Sequence, residues 1–249
     1  MALETYDAVL DWWACLDDET KDEEVDDFAM EFAYHSARIE GADLTYEEAR
    51  EVYEEDAVTA YTGDVRSLVS LIDQRAAFGW MLGVIKERRP LTEDLLLTLH
   101  RTLTYLTYSK KLLADDERPG KYKLSDYIVR GTYEVGAAPD QCPRLTRDLL
   151  AEVDAELPEL TPLRALTVAA YLHNNLVSIH PFAEGTGRTA RDLMNLVLME
   201  GGHPPIIIFD DDADRYYAAL EEFDRTGDLA PFKRFLMRET VRTWEDRVR

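Results

Sequence analysis

Apolar residues return every three or four positions over most of this chain, the spacing of helices with one buried face. Between residues 22 and 39, Val25, Phe28, Ala29, Phe32 and Ile39 share one side, and Gly41 follows where a helix commonly ends in a left-handed turn. A second helix is expected over 45–55, because Thr45 and Glu48 have the spacing at which each side chain caps the other's backbone N–H. The run 65–86 leads into Lys86, Arg88 and Arg89, cations at the negative end of the helix dipole, before Pro90 stops it. Further helices are expected over 92–106, 145–157, 163–179, 188–200, 212–224 and from 231 onward, with Gly201-Gly202 closing the fourth of these.

One stretch breaks the helical period. Tyr127-Ile128-Val129 and Thr132-Tyr133-Glu134-Val135 are β-prone runs around Arg130-Gly131, and they predict a short hairpin. Ile206-Ile207-Ile208-Phe209 reads as buried loop rather than strand. With no internal repeat, linker or low-complexity segment, the expected fold is all-α, a helical bundle with one β-hairpin, in a single domain over 1–249.

Composition narrows the function classes. Hydrophobic residues make up 46 % and charged residues 31 %, which suits a globular chain. Fifty acids against 28 bases leave a net charge of −22, which repels nucleic acid and anionic lipid, so neither is expected as a direct ligand. Cys15 and Cys142 lack the spacing of a zinc site or a redox dithiol. Acids near the N-terminus stand where a secretory leader carries bases, and no apolar run approaches about 18 residues, so a cytoplasmic protein is expected.

The chemistry concentrates in His-Pro-Phe-Ala-Glu-Gly-Thr-Gly-Arg-Thr-Ala-Arg, residues 180–191. Gly185 and Gly187 fall between two helical patterns, at a helix N-terminus where unpaired N–H groups and the dipole favour an anion and no Cβ blocks a phosphate. Arg188 and Arg191 are three apart and can turn to the same anion. His180 adds a base that titrates near neutrality, and Glu184 a hard oxygen ligand suited to Mg²⁺. Base, acid, cradle and arginines are the parts of a phosphoryl or nucleotidyl transfer. The stretch is not a Walker loop, since the lysine is missing, and His173 and His203 offer no zinc-ligand spacing to His180 and Glu184.

This stretch resembles the signature of the Fic domain, His-Pro-Phe-x-(Asp/Glu)-Gly-Asn-Gly-Arg-x-x-Arg, and departs from it only at Thr186, where asparagine is usual. The likeness extends to Gly120-Lys121-Tyr122 and the hairpin after it, similar over 120–143 to the family's target-docking flap, with Ile128 and Val129 in the flap. Leu99-His100 and Tyr216-Tyr217 also fall where the family places similar residues. The resemblance implies a protein adenylyltransferase that moves AMP from ATP to a Ser, Thr or Tyr hydroxyl of a target protein or of itself. It implies His180 as the base, Glu184 as the Mg²⁺ ligand and Gly185, Thr186 and Gly187 as the phosphate cradle. Arg188 and Arg191 would neutralise the phosphates, Phe182 would anchor the loop in the core, and Tyr216 and Tyr217 would wall the adenine.

Ser36-Ala37-Arg38-Ile39-Glu40-Gly41 resembles the family's inhibitory motif, Ser/Thr-x-x-x-Glu-Gly/Asn. That makes 22–41 an inhibitory helix on which Ser36 and Glu40 act, with Glu40 taking Arg191 away from ATP. Alternatives are a transferase that uses UTP or CDP-choline, a catalytically weak nucleotide-binding scaffold, and removal of AMP by the inhibitory glutamate. Expected partners are ATP and a protein bearing a modifiable hydroxyl, and a homo-oligomer is compatible with the sequence.

Overall fold

Local hydrogen bonds written into the sequence start the helices. Asp17, Asp64, Thr92 and Thr161 each accept a backbone N–H two or three residues ahead, and Pro162 occupies the first helical position after Thr161. At Thr45 the reciprocal cap is present: Thr45 N donates to Glu48 Oε2 at 2.8 Å and Glu48 N to Thr45 Oγ1 at 3.2 Å. The structure is a computed structural model that describes residues 2–55, 61–127 and 136–248.

The helices are α1 (Ala2–Cys15), α2 (Asp18–Ile39), α3 (Tyr46–Glu55), α4 (Val65–Lys86), α5 (Glu93–Thr104), α6 (Lys110–Ala114), α7 (Cys142–Glu156), α8 (Pro162–Ile179), α9 (Thr186–Glu200), α10 (Ala213–Thr226) and α11 (Ala230–Val248). No strand occurs among the described residues. The expected hairpin, with Ile128 and Val129, falls on residues 128–135, outside the described residues.

At the centre α8 and α9 pack along each other, burying Leu172, Leu176, Leu193 and Val197 completely, with α4, α5, α7 and α11 around them. Apolar burial of this kind is the dominant favourable term in folding. Phe28 and Phe32 of α2 meet Phe78 of α4 at 5.8 and 5.4 Å between ring centroids, which lays α2 across the bundle. The C-terminal end of α2 therefore comes to rest against the start of α9.

Periodicity places no helix before residue 22, yet α1 is formed. Tyr6, Val9 and Trp13 line its buried face, and Trp12 and Trp13 close on Trp244 of α11 at 5.5 and 5.4 Å. The short α6 is likewise absent from the periodicity, being little more than one turn. Helix α4 is long and apolar enough, by length and composition, to cross a membrane, although Asp73, Gln74 and Arg75 interrupt its apolar run. In the fold its apolar residues Leu71, Ala77, Phe78, Met81 and Val84 are buried in the bundle, as a central core helix requires. Residues 206–209 are buried and irregular as expected, their backbone served by side chains of Asn195, Glu239 and Thr243.

Candidate active site

The twelve-residue stretch forms the turn from α8 to α9. His180 caps α8 in the left-handed conformation (φ 49°, ψ 62°), a backbone state that costs a non-glycine residue roughly 1–2 kcal/mol and clusters at functional positions. Gly185, at φ 86°, is the N-cap of α9, and a Cβ there would meet Thr104 Cγ2 at 2.5 Å. The helix begins at Thr186, two residues earlier than the pattern predicts, so the whole Thr186-Gly187-Arg188 segment belongs to its first turn. Thr186 is buried and its Oγ1 has no hydrogen-bond partner.

Phe182 pins the loop. It is fully buried and stacks on His100 at 3.7 Å between centroids. His100 receives the Gly120 N–H on Nδ1 (2.9 Å), so its Nε2 carries the hydrogen and donates to the Glu184 carbonyl (2.8 Å). Burial pushes the His100 pKa down to about 3 and keeps the ring neutral. His180 is pushed down to about 4, by burial first and then by the Lys123 ammonium, with the Glu40 carboxylate acting the other way. It is therefore an unprotonated base at neutral pH. Two further backbone bonds meet here: Lys123 N donates to the Pro181 carbonyl and Ala137 N to the Ile179 carbonyl at the end of α8, each at 2.9 Å.

The two arginines point to different partners. Arg188 is buried, donating to the Leu103 carbonyl, with its Nη2 3.6 Å from Glu184 Oε1. Arg191 is 1 % exposed, and its Nε and Nη2 take the Ser36 hydroxyl (3.0 Å) and carbonyl (3.1 Å) while Nη2 also takes Glu40 Oε1 (2.8 Å). Burial disfavours the Arg191 charge, but the Glu40 carboxylate, its hydrogen bond and the neighbouring Tyr216 and Tyr217 together raise the pKa. Glu40 also leans over the cradle: a Cβ on Gly187 would lie 2.7 Å from Glu40 Oε1. Ser36 and Glu40 thus both meet Arg191, across 151 residues or more.

A cavity of about 300 Å³ opens beside this pair, lined among others by Glu40, Arg66, Ser67, Glu184, Gly185 and Arg188. Arg66 is absent from the sequence-based site. Its Nη2 donates to Glu184 Oε1 at 2.7 Å and to the Thr107 carbonyl at 2.6 Å. An arginine just after an N-cap aspartate carries no sequence signal of such a role. No group of three or more His, Cys, Asp or Glu able to enclose a metal occurs among the described residues. Mg²⁺ is commonly held by one or two carboxylates together with waters and phosphate oxygens. A single Glu184 carboxylate on the wall of the cavity fits a cation that arrives with a nucleotide.

Tyr216 is corrected from adenine wall to core. It is buried and bonds the His173 ring nitrogen through its hydroxyl at 3.1 Å, because the α10 face that carries it packs inward. Tyr217, beside it at 5.1 Å, is only partly buried.

The Fic/DOC family profile matches residues 90–198, which hold the loop, α8 and nearly all of α9. Over that segment the chain is similar to the Fic/DOC family. Two curated relatives, each named "Protein adenylyltransferase Fic", are similar to it. The one from Nematostella vectensis is 33 % identical over 211 residues, which are 84 % of this chain and 46 % of the relative. The one from Drosophila persimilis is 30 % identical over 213 residues, 84 % of this chain and 39 % of the relative. The chain spans less than half the length of either. Among solved structures, a Fic domain containing signaling protein from Bacteroides thetaiotaomicron VPI-5482 superposes with a TM-score of 0.84 at 24 % identity, over 100 % of this chain and 97 % of that one. Fic-1 from C. elegans gives 0.78 at 24 % identity, over 98 % of this chain and 70 % of its own. Both carry the same helical fold.

Proposed function

We propose that this chain is a protein adenylyltransferase held off by its own helix α2. The observation that carries the reading is one loop that presents an unprotonated His180 beside the N-terminus of α9, with Glu40 on the arginine one turn further in. The names of the relatives support ATP as donor and a protein as acceptor.

In the reaction, His180 takes the proton of a target hydroxyl as its oxygen attacks the α phosphorus of ATP. A new O–P bond forms, the bond from the α phosphorus to the bridging oxygen breaks, and pyrophosphate leaves with the electron pair. The first-turn N–H groups of α9 and the Arg188 guanidinium receive the negative charge that develops on the phosphates. Glu184 would hold Mg²⁺ together with the nucleotide, and the ion would supply further charge neutralisation. The Thr186 hydroxyl, buried on the same turn without a partner in the protein, is assigned the donation to a phosphate oxygen. Tyr217 is left as the aromatic wall for the base.

Glu40 turns the site off by competition. While it holds Arg191 and hangs over Gly187, the fork that orients the terminal phosphate is taken and the cradle is narrowed. Incubation of lysate with labelled ATP tests both parts. Glu40→Gly is expected to raise labelling by about tenfold or more over the parent, as loss of a pair worth over 1.4 kcal/mol requires. Adding His180→Ala should abolish it. Equal labelling by parent and Glu40→Gly removes the brake, and labelling that survives His180→Ala removes the base.

A further inference from the structure

The carboxylate assigned to the metal is already engaged. Glu184 Oε1 lies 2.7 Å from Arg66 Nη2 and 3.6 Å from Arg188 Nη2, so two guanidinium groups converge on the same oxygen. Arg188 is buried and fixed by the Leu103 carbonyl. Arg66 is different: its side chain is 51 % exposed, it projects from the first turn of α4, and both it and Glu184 line the 300 Å³ cavity. Its second acceptor, the Thr107 carbonyl, lies on the loop after α5 and steadies the guanidinium where it meets the carboxylate.

A divalent cation and a guanidinium compete for the same oxygen lone pairs. Both are cations, and their mutual repulsion in a half-enclosed cavity disfavours simultaneous occupancy. We propose that Arg66 is a built-in competitor for the divalent cation: it holds Glu184 in the resting site and must be displaced when a metal-bound nucleotide enters. This rests on the reading of Glu184 as the metal carboxylate. Arg66 is then a positioning residue, acting through Glu184, and it makes occupancy depend on metal concentration independently of the Glu40–Arg191 pair. No sequence neighbour signals it, since the two residues are 118 positions apart.

Mn²⁺ binding to the full chain carrying Glu40→Gly, with a saturating non-hydrolysable ATP analogue, can be read from the electron paramagnetic resonance of free Mn²⁺. Adding Arg66→Ala is expected to tighten Mn²⁺ by about twofold to fivefold, the range for loss of a partly exposed ion pair. Arg66→Lys, which keeps a cation in place, should bind as its parent does, and a melting curve for each variant verifies the fold. Unchanged or weaker Mn²⁺ binding in Arg66→Ala overturns the proposal. Glu184→Ala separates the two readings: it should reduce Mn²⁺ affinity to that of the free nucleotide complex, and parental affinity in that variant would show instead that Glu184 is not the metal carboxylate.

Discussion

His180 combines a strained backbone with a depressed pKa, and both follow from its position at the tight exit of α8. Because burial holds the ring neutral down to about pH 4, adenylylation by the Glu40→Gly protein should stay level from pH 8 to 6 and fall only as the pH approaches 4. A profile that halves near pH 6.5 would mean an ordinary solvated imidazole. Thr186 gives a second test at this scale. Its hydroxyl is buried without a partner, so Thr186→Val should leave the melting temperature unchanged or slightly higher. The same change should raise the KM for ATP about tenfold, the loss expected for one hydrogen bond to a charged oxygen.

For helix α2, the brake depends on how its C-terminal end is held. Two residues on its outer side, His35 and Arg38, both reach Asp210: His35 Nδ1 at 2.7 Å and Arg38 Nε at 3.2 Å. Phe28 and Phe32 grip the same helix from below through Phe78. Asp210→Ala should loosen the end that carries Glu40 and raise labelling several-fold, while staying below Glu40→Gly, because the aromatic contacts remain. Labelling equal to the parent would show that the aromatic grip alone holds the brake. The element itself was legible, since Val25, Phe28 and Phe32 mark its buried face and Gly41 its end. Its partners were not, because Asp210 follows a loop whose path depends on the packing of α9 and α11. Helix α1 escaped the reading for a related reason: its buried face is carried by Tyr6, Val9 and Trp13 and finds its contacts on α11, at the other end of the chain.

Over the whole molecule, burial of ionisable groups sets the response to pH. His100 and His173 are depressed to about 3, and His180 and His203 to about 4, all by burial first. Below about pH 6.5 the unfolded chain takes up protons that the native chain refuses, so these groups erode stability as pH falls from 6.5 toward 4. Asp73, Asp192 and Glu239 act oppositely: burial raises them to about 6, 7 and 7, so the native chain keeps protons that the unfolded chain gives up. Their contribution is greatest below about pH 4 and is lost as pH rises to 7. Asp192→Asn isolates one carboxyl. Its melting temperature relative to the parent should climb between pH 5 and 8, and a constant difference would mean that Asp192 is ionised throughout. From the sequence alone came the helical class, most helix starts and the loop chemistry of His180, Glu184, Gly185 and Arg188, because caps, periodicity and a contiguous turn are set by residues a few positions apart. Only the tertiary structure decided that Tyr216 is core and that Arg66 holds Glu184. Both are fixed by how distant helices pack, and a lone charge or aromatic ring on a helix carries no mark of what will face it.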